Sequence, residues 1–391
     1  MKRKRQGYED IALCAPVTIP YTRHSLRSAH WFCGRALAAL IDRGGINKED
    51  VDGLCVSSFT LAPDTAVGLT QHLGVTPRWL DHIPMGGASG VVALRRAARA
   101  VQAGDAEVVA CIAGDTNHVD SFRKTIASFS QFANDAVYPY GSGGPNASFA
   151  FLTDHYMREY GAKREDFAKL CIAQRDNALR FPHALMKRPL TLDDYLNARP
   201  IADPLRLFDC VMPCAGAEAY LVMSRERAHE LGLPYAILSS TIERHNAFPD
   251  DPIQIRGGWA MDVDDLYGLA GISPKDIDFV QAYDDYPVIC FLQIEDLGFC
   301  EKGEAPAFVR NHDLTVAGDF PFNTSGGQLS VGQAGAAGGS LGLVEAIRQL
   351  TDENLGAMVA DAAHGLVSCF GMINYDRGLC SSAAILSRGQ A

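Results

Sequence analysis

No run of about 18 consecutive apolar residues occurs in the 391-residue sequence, so no segment is built to cross a bilayer as a helix. Cationic Lys2 to Arg5 are followed by polar Gln6 to Asp10, not by the apolar stretch of a signal segment, and a soluble cytoplasmic protein is expected. Positive charge is in deficit: 35 Lys and Arg stand against 46 Asp and Glu, a formal net charge of −11. The basic excess needed to bind a phosphate backbone is missing, which argues against a nucleic-acid partner and leaves Lys2 to Arg5 as a solvated tail. Paired metal-ligand spacings are missing as well. The eleven cysteines are scattered through apolar stretches, as at Cys55, Cys111 and Cys171. They read as small buried side chains, with neither disulfides nor zinc expected.

What is present is apolar bulk, written twice. At 47% hydrophobic content the chain supports two cores, since domains run to about 100–200 residues. The segment Gly45-Ile46-Asn47-Lys48-Glu49-Asp50-Val51-Asp52, with the apolar run after it, recurs as Gly271-Ile272-Ser273-Pro274-Lys275-Asp276-Ile277-Asp278 and its own apolar run. Each copy predicts a helix ending on a left-handed glycine, a short turn capped by Asn47 or Ser273, and entry into a buried strand. A second pair follows. Gly86 to Gly90 opens an alanine-rich helix through Ala103 and a strand from Val108 to Gly114, and Gly335 to Gly339 opens a helix through Leu350 and a strand over Met358 to Gly365. Glycine-rich turns let helix and sheet approach closely, and the alternation predicts an α/β fold with the sheet covered on both faces. The domain division expected is residues 1–235 and 236–391. A polar, aromatic-rich stretch from about His118 to Leu196 interrupts the first and reads as an inserted lid or loop region.

Several strings carry a more specific likeness. They include Ile19-Pro20-Tyr21-Thr22-Arg23, Arg199-Pro200-Ile201-Ala202-Asp203-Pro204-Leu205, Glu295-Asp296-Leu297-Gly298-Phe299 and Asn323-Thr324-Ser325-Gly326-Gly327. In their order and spacing they span nearly the whole chain, and the sequence resembles the sterol-carrier-protein-type thiolases of the thiolase superfamily. The resemblance implies two duplicated βαβαβαββ units in a layered α/β/α/β/α arrangement and a homodimer. It also implies a coenzyme A thioester as substrate with no permanently bound cofactor, and a small zinc-ribbon and OB-fold partner protein.

The family's reactive positions are altered. Its nucleophile is a cysteine ahead of Ala-Ser-Gly at a helix start, where the helix dipole and a histidine lower the thiol pKa. Here the string is Gly87-Ala88-Ser89-Gly90, and a glycine has no sulfur to carry an acyl group. Ser89 falls at an ordinary family position. The missing side chain at Gly87 is expected to widen the pocket beside the thioester; the plainer reading is a close-packed turn. The motif that supplies an oxyanion-hole group, a His-Asp or Asn-Glu pair before a small residue and Phe, reads Tyr283-Asp284-Asp285-Tyr286. A tyrosine there can donate to a developing oxyanion or move a proton. In Gly332-Gln333-Ala334 a glutamine replaces the activating histidine; it can donate a hydrogen bond but is no base. The last motif has two counterparts, Cys369-Phe370-Gly371 and Asn374-Tyr375-Asp376.

The catalytic candidates are therefore Tyr283, Gln333, Tyr286 and Tyr375, with Gly87, Ser89, Asn323 and Asp284 as substrate-binding candidates. Thiolase-like retro-aldolases, which lack the cysteine and use tyrosines, imply noncovalent cleavage of a β-hydroxyacyl-CoA with a steroid-like side chain. Two alternatives stand beside that reading: a catalytically silent subunit of a heteromeric complex, and an acyltransferase with an unrecognised nucleophile.

Overall fold

The computed structural model describes residues 6–119, 137–141, 144–353, 355–374 and 377–389. The strands are β1 (Ile11–Thr22), β2 (Gly53–Ser57), β3 (Trp79–His82), β4 (Val108–Asp115), β5 (Pro200–Ala202), β6 (Leu205–Arg206), β7 (Ala215–Ser224), β8 (Tyr235–His245), β9 (Phe279–Ala282), β10 (His364–Asn374) and β11 (Arg377–Arg388). Apart from the small β5-β6 ribbon they form one nine-stranded sheet, in the order β3-β2-β4-β7-β1-β8-β11-β10-β9. β2 runs parallel to β3 and β4, and β9 parallel to β10; the remaining pairings are antiparallel. The halves of the sheet meet only at a short ladder, Ala12 to Cys14 of β1 against Tyr235 to Ile237 of β8.

The alternation of side chains along each strand shows how the layers stack. In β4, Val109 and Cys111 pack on the helix Ser89–Ala103, while Val108, Ala110 and Ile112 pack on the helix Ala29–Gly44. In β11, Ala384 and Leu386 face the same inner core, while Ala383 and Ile385 join Trp259 and Leu266 of the helix Trp259–Ala270. The helices Ser89–Ala103 and Gly338–Thr351 thus lie between the two halves of the sheet, giving the expected helix-sheet-helix-sheet-helix order. Burial on both faces explains why β4 is apolar almost throughout.

The repeated strings adopt the same local structure. Gly45 and Gly271 end their helices with φ of 57° and 72°, and Asn47 with Asp50, and Ser273 with Asp276, form matching capping boxes. The glycine-rich turns touch: a Cβ on Gly90 would stand 2.0 Å from the Gly339 carbonyl oxygen, so the helix starts approach closely only without that side chain.

Two details differ from the sequence expectation. The last parallel strand begins at His364, not Met358, because Asp361 adopts a left-handed φ of 50° and the Val359 amide is taken by the Gln349 side chain. Within the expected insertion, residues 120–136 and 142–143 lie outside the described residues. The rest is chiefly helical, Pro145–Tyr160, Arg164–Ala178 and Leu192–Leu196, with Phe149, Tyr156, Phe167 and Leu170 joined to the main core rather than looped over it.

Candidate active site

A cavity of about 730 Å³ opens where the carboxyl ends of β4 and β9 meet β10. Crevices at the carboxyl ends of parallel strands are where open α/β sheets bind ligands. Its walls combine Asp115 at the end of β4, Gly86 and Gly87 of the first glycine-rich turn, Phe149, residues just after β9 and Phe370 of β10.

Tyr283 follows β9 directly, and its backbone is held twice. Its N–H donates to Ser368 O at 3.0 Å and to Gln293 Oε1 at 3.1 Å, and its carbonyl accepts from Gln293 Nε2 at 2.7 Å. The side chain fills the space beside Gly87: a Cβ there would stand 2.1 Å from Tyr283 Cζ and 2.4 Å from the Phe370 carbonyl oxygen. This corrects the expectation of a widened pocket. The volume released at Gly87 is taken by the phenol ring, which places the tyrosine where the family's nucleophile would project.

Two side chains converge at that ring. Gln333 Nε2 donates to Tyr283 Oη at 3.1 Å and also to Asp285 Oδ1. Asp285 lies beside Tyr283, near enough for each group to act on the other's proton. The Gln333 backbone is pinned by its N–H to Met212 O at 2.8 Å and by Cys214 N–H to its carbonyl at 2.9 Å, so the amide is held in place as a donor. Burial pushes the Tyr283 phenol well above its ordinary value, reinforced by the Asp285 charge. Burial likewise raises the Asp285 carboxyl to about 7, against the lowering effect of the neighbouring Tyr283 hydroxyl. Asp285 retains partial accessibility, but it borders the cavity. A phenol that keeps its proton beside a carboxyl titrating near neutrality can donate to an oxyanion and exchange a proton.

The other candidates are distributed differently. Tyr286 borders the cavity, donates from Oη to Asn146 Oδ1 at 2.6 Å and stacks on Phe149 at 4.5 Å. Asp284 points the opposite way from Asp285, into the core. Its carboxylate accepts from Gln174 Nε2 at 2.9 Å, Gln328 N–H at 2.8 Å and Leu329 N–H at 3.2 Å, fixing the start of the helix Gly327–Val331. Asn323, at a left-handed φ of 47°, accepts the Ala282 N–H at 2.8 Å and ties its loop to the end of β9. Ser89 is fully buried, donating to Ile83 O at 3.0 Å and accepting from Met85 N–H at 3.2 Å. None of these last three lines the large cavity. Tyr375 lies outside the described residues, with Asp376 of the same string. Cys369 in β10 donates to Gly339 O at 3.3 Å, away from the cavity, and burial pushes its thiol up to about 12.

Sequence reasoning passed over Asp285 and Asp115. For Asp285 a signal existed, since it occupies the position where the motif has a small residue. Asp115 also borders the cavity, yet its carboxylate is taken up by Ser58 Oγ, the Phe59 and Thr60 amides, Thr60 Oγ1 and the Ala336 amide. It joins the β2 end to the second glycine-rich turn. Among the described residues the thiols bordering the cavity are Cys210 and Cys214. Burial pushes Cys210 up to about 12 and Cys214 well above the ordinary thiol value, so neither supplies a thiolate at neutral pH.

Five layers, paired glycine-rich turns and a cavity at the strand ends define a thiolase-like architecture, and the cavity is bordered by a tyrosine, a glutamine and an aspartate, Tyr283, Gln333 and Asp285. Residues 257–387 match the Thiolase C-terminal domain-like family. The chain is 32% identical to the steroid side-chain-cleaving aldolase of Thermomonospora curvata, over 84% of this chain and 87% of that protein. It is 29% identical to the 17-hydroxy-3-oxo-4-pregnene-20-carboxyl-CoA lyase of Mycobacterium tuberculosis, over 89% and 93%. The solved Ltp2-ChsH2(DUF35) aldolase superposes with a TM-score of 0.82 at 27% identity, covering 97% of this chain and 98% of that one. The chain belongs to the thiolase superfamily, among its retro-aldolase-like members. No helix among the described residues is long and apolar enough to cross a membrane.

Proposed function

We propose that the protein is a lyase that cleaves the Cα–Cβ bond of a β-hydroxyacyl-CoA by a retro-aldol reaction, without an acyl-enzyme. The observation that carries this reading is the replacement of a nucleophile by a phenol in the same space: Gly87 leaves no group to acylate, and the Tyr283 ring fills its place with a hydroxyl held by Gln333. In such a cleavage the β-hydroxyl loses its proton and its carbon becomes a carbonyl. The Cα–Cβ electron pair passes into the thioester as an enolate, and Cα then takes up a proton. Hydrogen-bond donors at the thioester oxygen are the main requirement on the protein, and Tyr283 is the donor assigned here. The raised thiols of Cys210 and Cys214 weigh against an acyltransferase with a substitute nucleophile.

The cavity volume falls in the range of about 300–1,000 Å³ typical of small-molecule sites, and its walls include Phe149, Ile201, Met212, Phe370 and Ile373. That apolar lining suits a bulky alicyclic acyl group, and the names of the two relatives support a steroid-like one. Arg23 and Arg199, exposed at the rim, are assigned to the coenzyme A phosphates. Tyr286, bonded to Asn146, shapes the acyl wall, and Tyr375 remains a candidate second hydroxyl. We read the protein as a cytoplasmic homodimer of two-domain chains, divided near residue 235, that works with a small zinc-ribbon and OB-fold partner. The DUF35 component in the name of the solved aldolase supports the partner. Incubation with steroid-like and simpler β-hydroxyacyl-CoA thioesters, alone and with such a partner, should yield a ketone or aldehyde and a shortened acyl-CoA. Failure with every substrate in both settings would favour a silent subunit.

A further inference from the structure

Retro-aldol cleavage needs a base for the β-hydroxyl proton, and the histidine that does proton work in thiolase-like sites is here Gln333, an amide with no basic nitrogen. Both Gln333 Nε2 hydrogens are committed, one to Tyr283 and one to Asp285. The other groups around the cavity are poorly suited. Tyr283 is held protonated by burial and by a neighbouring carboxylate. The Tyr286 hydroxyl is donated to Asn146, and Asp115 already accepts from three backbone amides and two hydroxyls. His24 and His118 sit on the exposed rim.

We propose that Asp285 is the general base of the reaction, taking the β-hydroxyl proton while Tyr283 donates its hydrogen bond to the thioester oxygen. This rests on the retro-aldol reading above. A carboxylate accepts at about four lone-pair sites. Gln333 occupies one, and a substrate hydroxyl adds to the same group. On substrate binding the Tyr283 hydroxyl donates its single proton to the thioester oxygen, with Gln333 holding the phenol oxygen in place. The O–H bond of the substrate breaks as the proton passes to Asp285, the Cα–Cβ pair moves into the enolate, and protonated Asp285 returns the proton to Cα. Atoms and charge balance without a cofactor or co-reactant. The aspartate at the motif's small-residue position thus supplies the base that Gln333 does not.

The titratable groups facing Asp285 are Tyr283 and Asp284 beside it in the chain, Tyr286 and Cys290 at the start of the following helix, and Cys210 from the segment ahead of β7. None is a cation. Burial among neutral or anionic neighbours therefore raises the carboxyl to about 7, and the base form gains population as pH rises through that value. Asp284 is also raised to about 7, so a pH profile alone does not separate the two carboxyls.

The test compares wild type with Asp285→Asn, which keeps an acceptor for Gln333 and nearly the same volume. Wild-type kcat/KM should rise about tenfold per pH unit below about 7 and level off above it. Asp285→Asn should lower kcat by about 10²–10⁴-fold and abolish that acid limb, with unchanged Tm and unchanged affinity for a non-cleavable acyl-CoA. Wild-type turnover in the variant, or an acid limb that survives in it, overturns the assignment. A flat wild-type profile between pH 5.5 and 8 overturns it without any variant, which covers a substitution that fails to fold. Wild type that cleaves nothing defeats the retro-aldol reading itself, and the base role with it, whereas an active wild type matched by an equally active variant removes only the base role.

Discussion

Placing an alanine at position 87 tests the packing logic of the site with one methyl group. Its Cβ would stand 2.1 Å from Tyr283 Cζ, 2.2 Å from Cε2 and 2.4 Å from the Phe370 carbonyl oxygen. Ordinary carbon contacts lie at about 3.5–4.0 Å, so the ring has to retreat by more than about 1 Å. The backbone of Tyr283 cannot follow easily, because Gln293 and Ser368 hold both its N–H and its carbonyl. The phenol must instead swing about its side-chain bonds, which breaks the 3.1 Å contact from Gln333. Overpacking of this kind costs about 1–3 kcal/mol of stability. Losing one positioned oxyanion donor costs about 10²–10³ in rate. Gly87→Ala is therefore expected to lower Tm and to reduce lyase kcat by at least about 10²-fold. Removing the ring in Gly87→Ala/Tyr283→Ala should return part of the lost stability, a coupling that a thermal-melt cycle detects. Gly87→Ala with wild-type Tm and wild-type turnover would refute the reasoning, since the methyl group would then have found room that the packing denies it.

Two other outcomes follow from the same geometry. Tyr283→Phe keeps the ring against Gly87 and deletes the hydroxyl, so it should fold with wild-type Tm while kcat falls by about 10²–10⁴-fold; a normal rate would transfer the role to Tyr286 or Tyr375. With Gly87 in place and the cavity thiols held protonated, intact mass spectrometry should show no acylated protein after incubation with an acyl-CoA, and acetoacetyl-CoA should not be thiolysed; a stable acyl adduct on Cys210 or Cys214 would reverse this.

Much of the architecture was legible because it is written in local signals. Gly45 and Gly271, with the Asn47 and Ser273 turns, carry their conformations in adjacent residues, and the matched strings fold alike. The start of β10 was misplaced because Ala360 and its neighbours are apolar enough for a strand. What stops them is a tertiary contact, the Gln349 side chain on the Val359 amide. The helices Pro145–Tyr160 and Arg164–Ala178 were hidden by the turn formers and polar residues around them, although their buried faces complete the core. At the site, the position of Tyr283 was readable from its motif, but its fit against Gly87 was not, since about two hundred residues of chain separate the contacting pair. The opposite fates of Asp284 and Asp285 depend likewise on what the fold brings to each carboxylate: Gln174 and the Gln328 and Leu329 amides for one, Gln333 and the open cavity for the other.

The central claim is that this thiolase-superfamily chain breaks a carbon–carbon bond without a nucleophile, and isotope-traced product analysis tests it most directly. A β-hydroxyacyl-CoA is incubated in D₂O with the protein, together with the proposed zinc-ribbon and OB-fold protein, and no free coenzyme A. The account predicts equal amounts of the carbonyl product and the shortened acyl-CoA, the latter carrying solvent-derived deuterium at Cα. No cleavage under these conditions, or cleavage only after free coenzyme A is added, would contradict it.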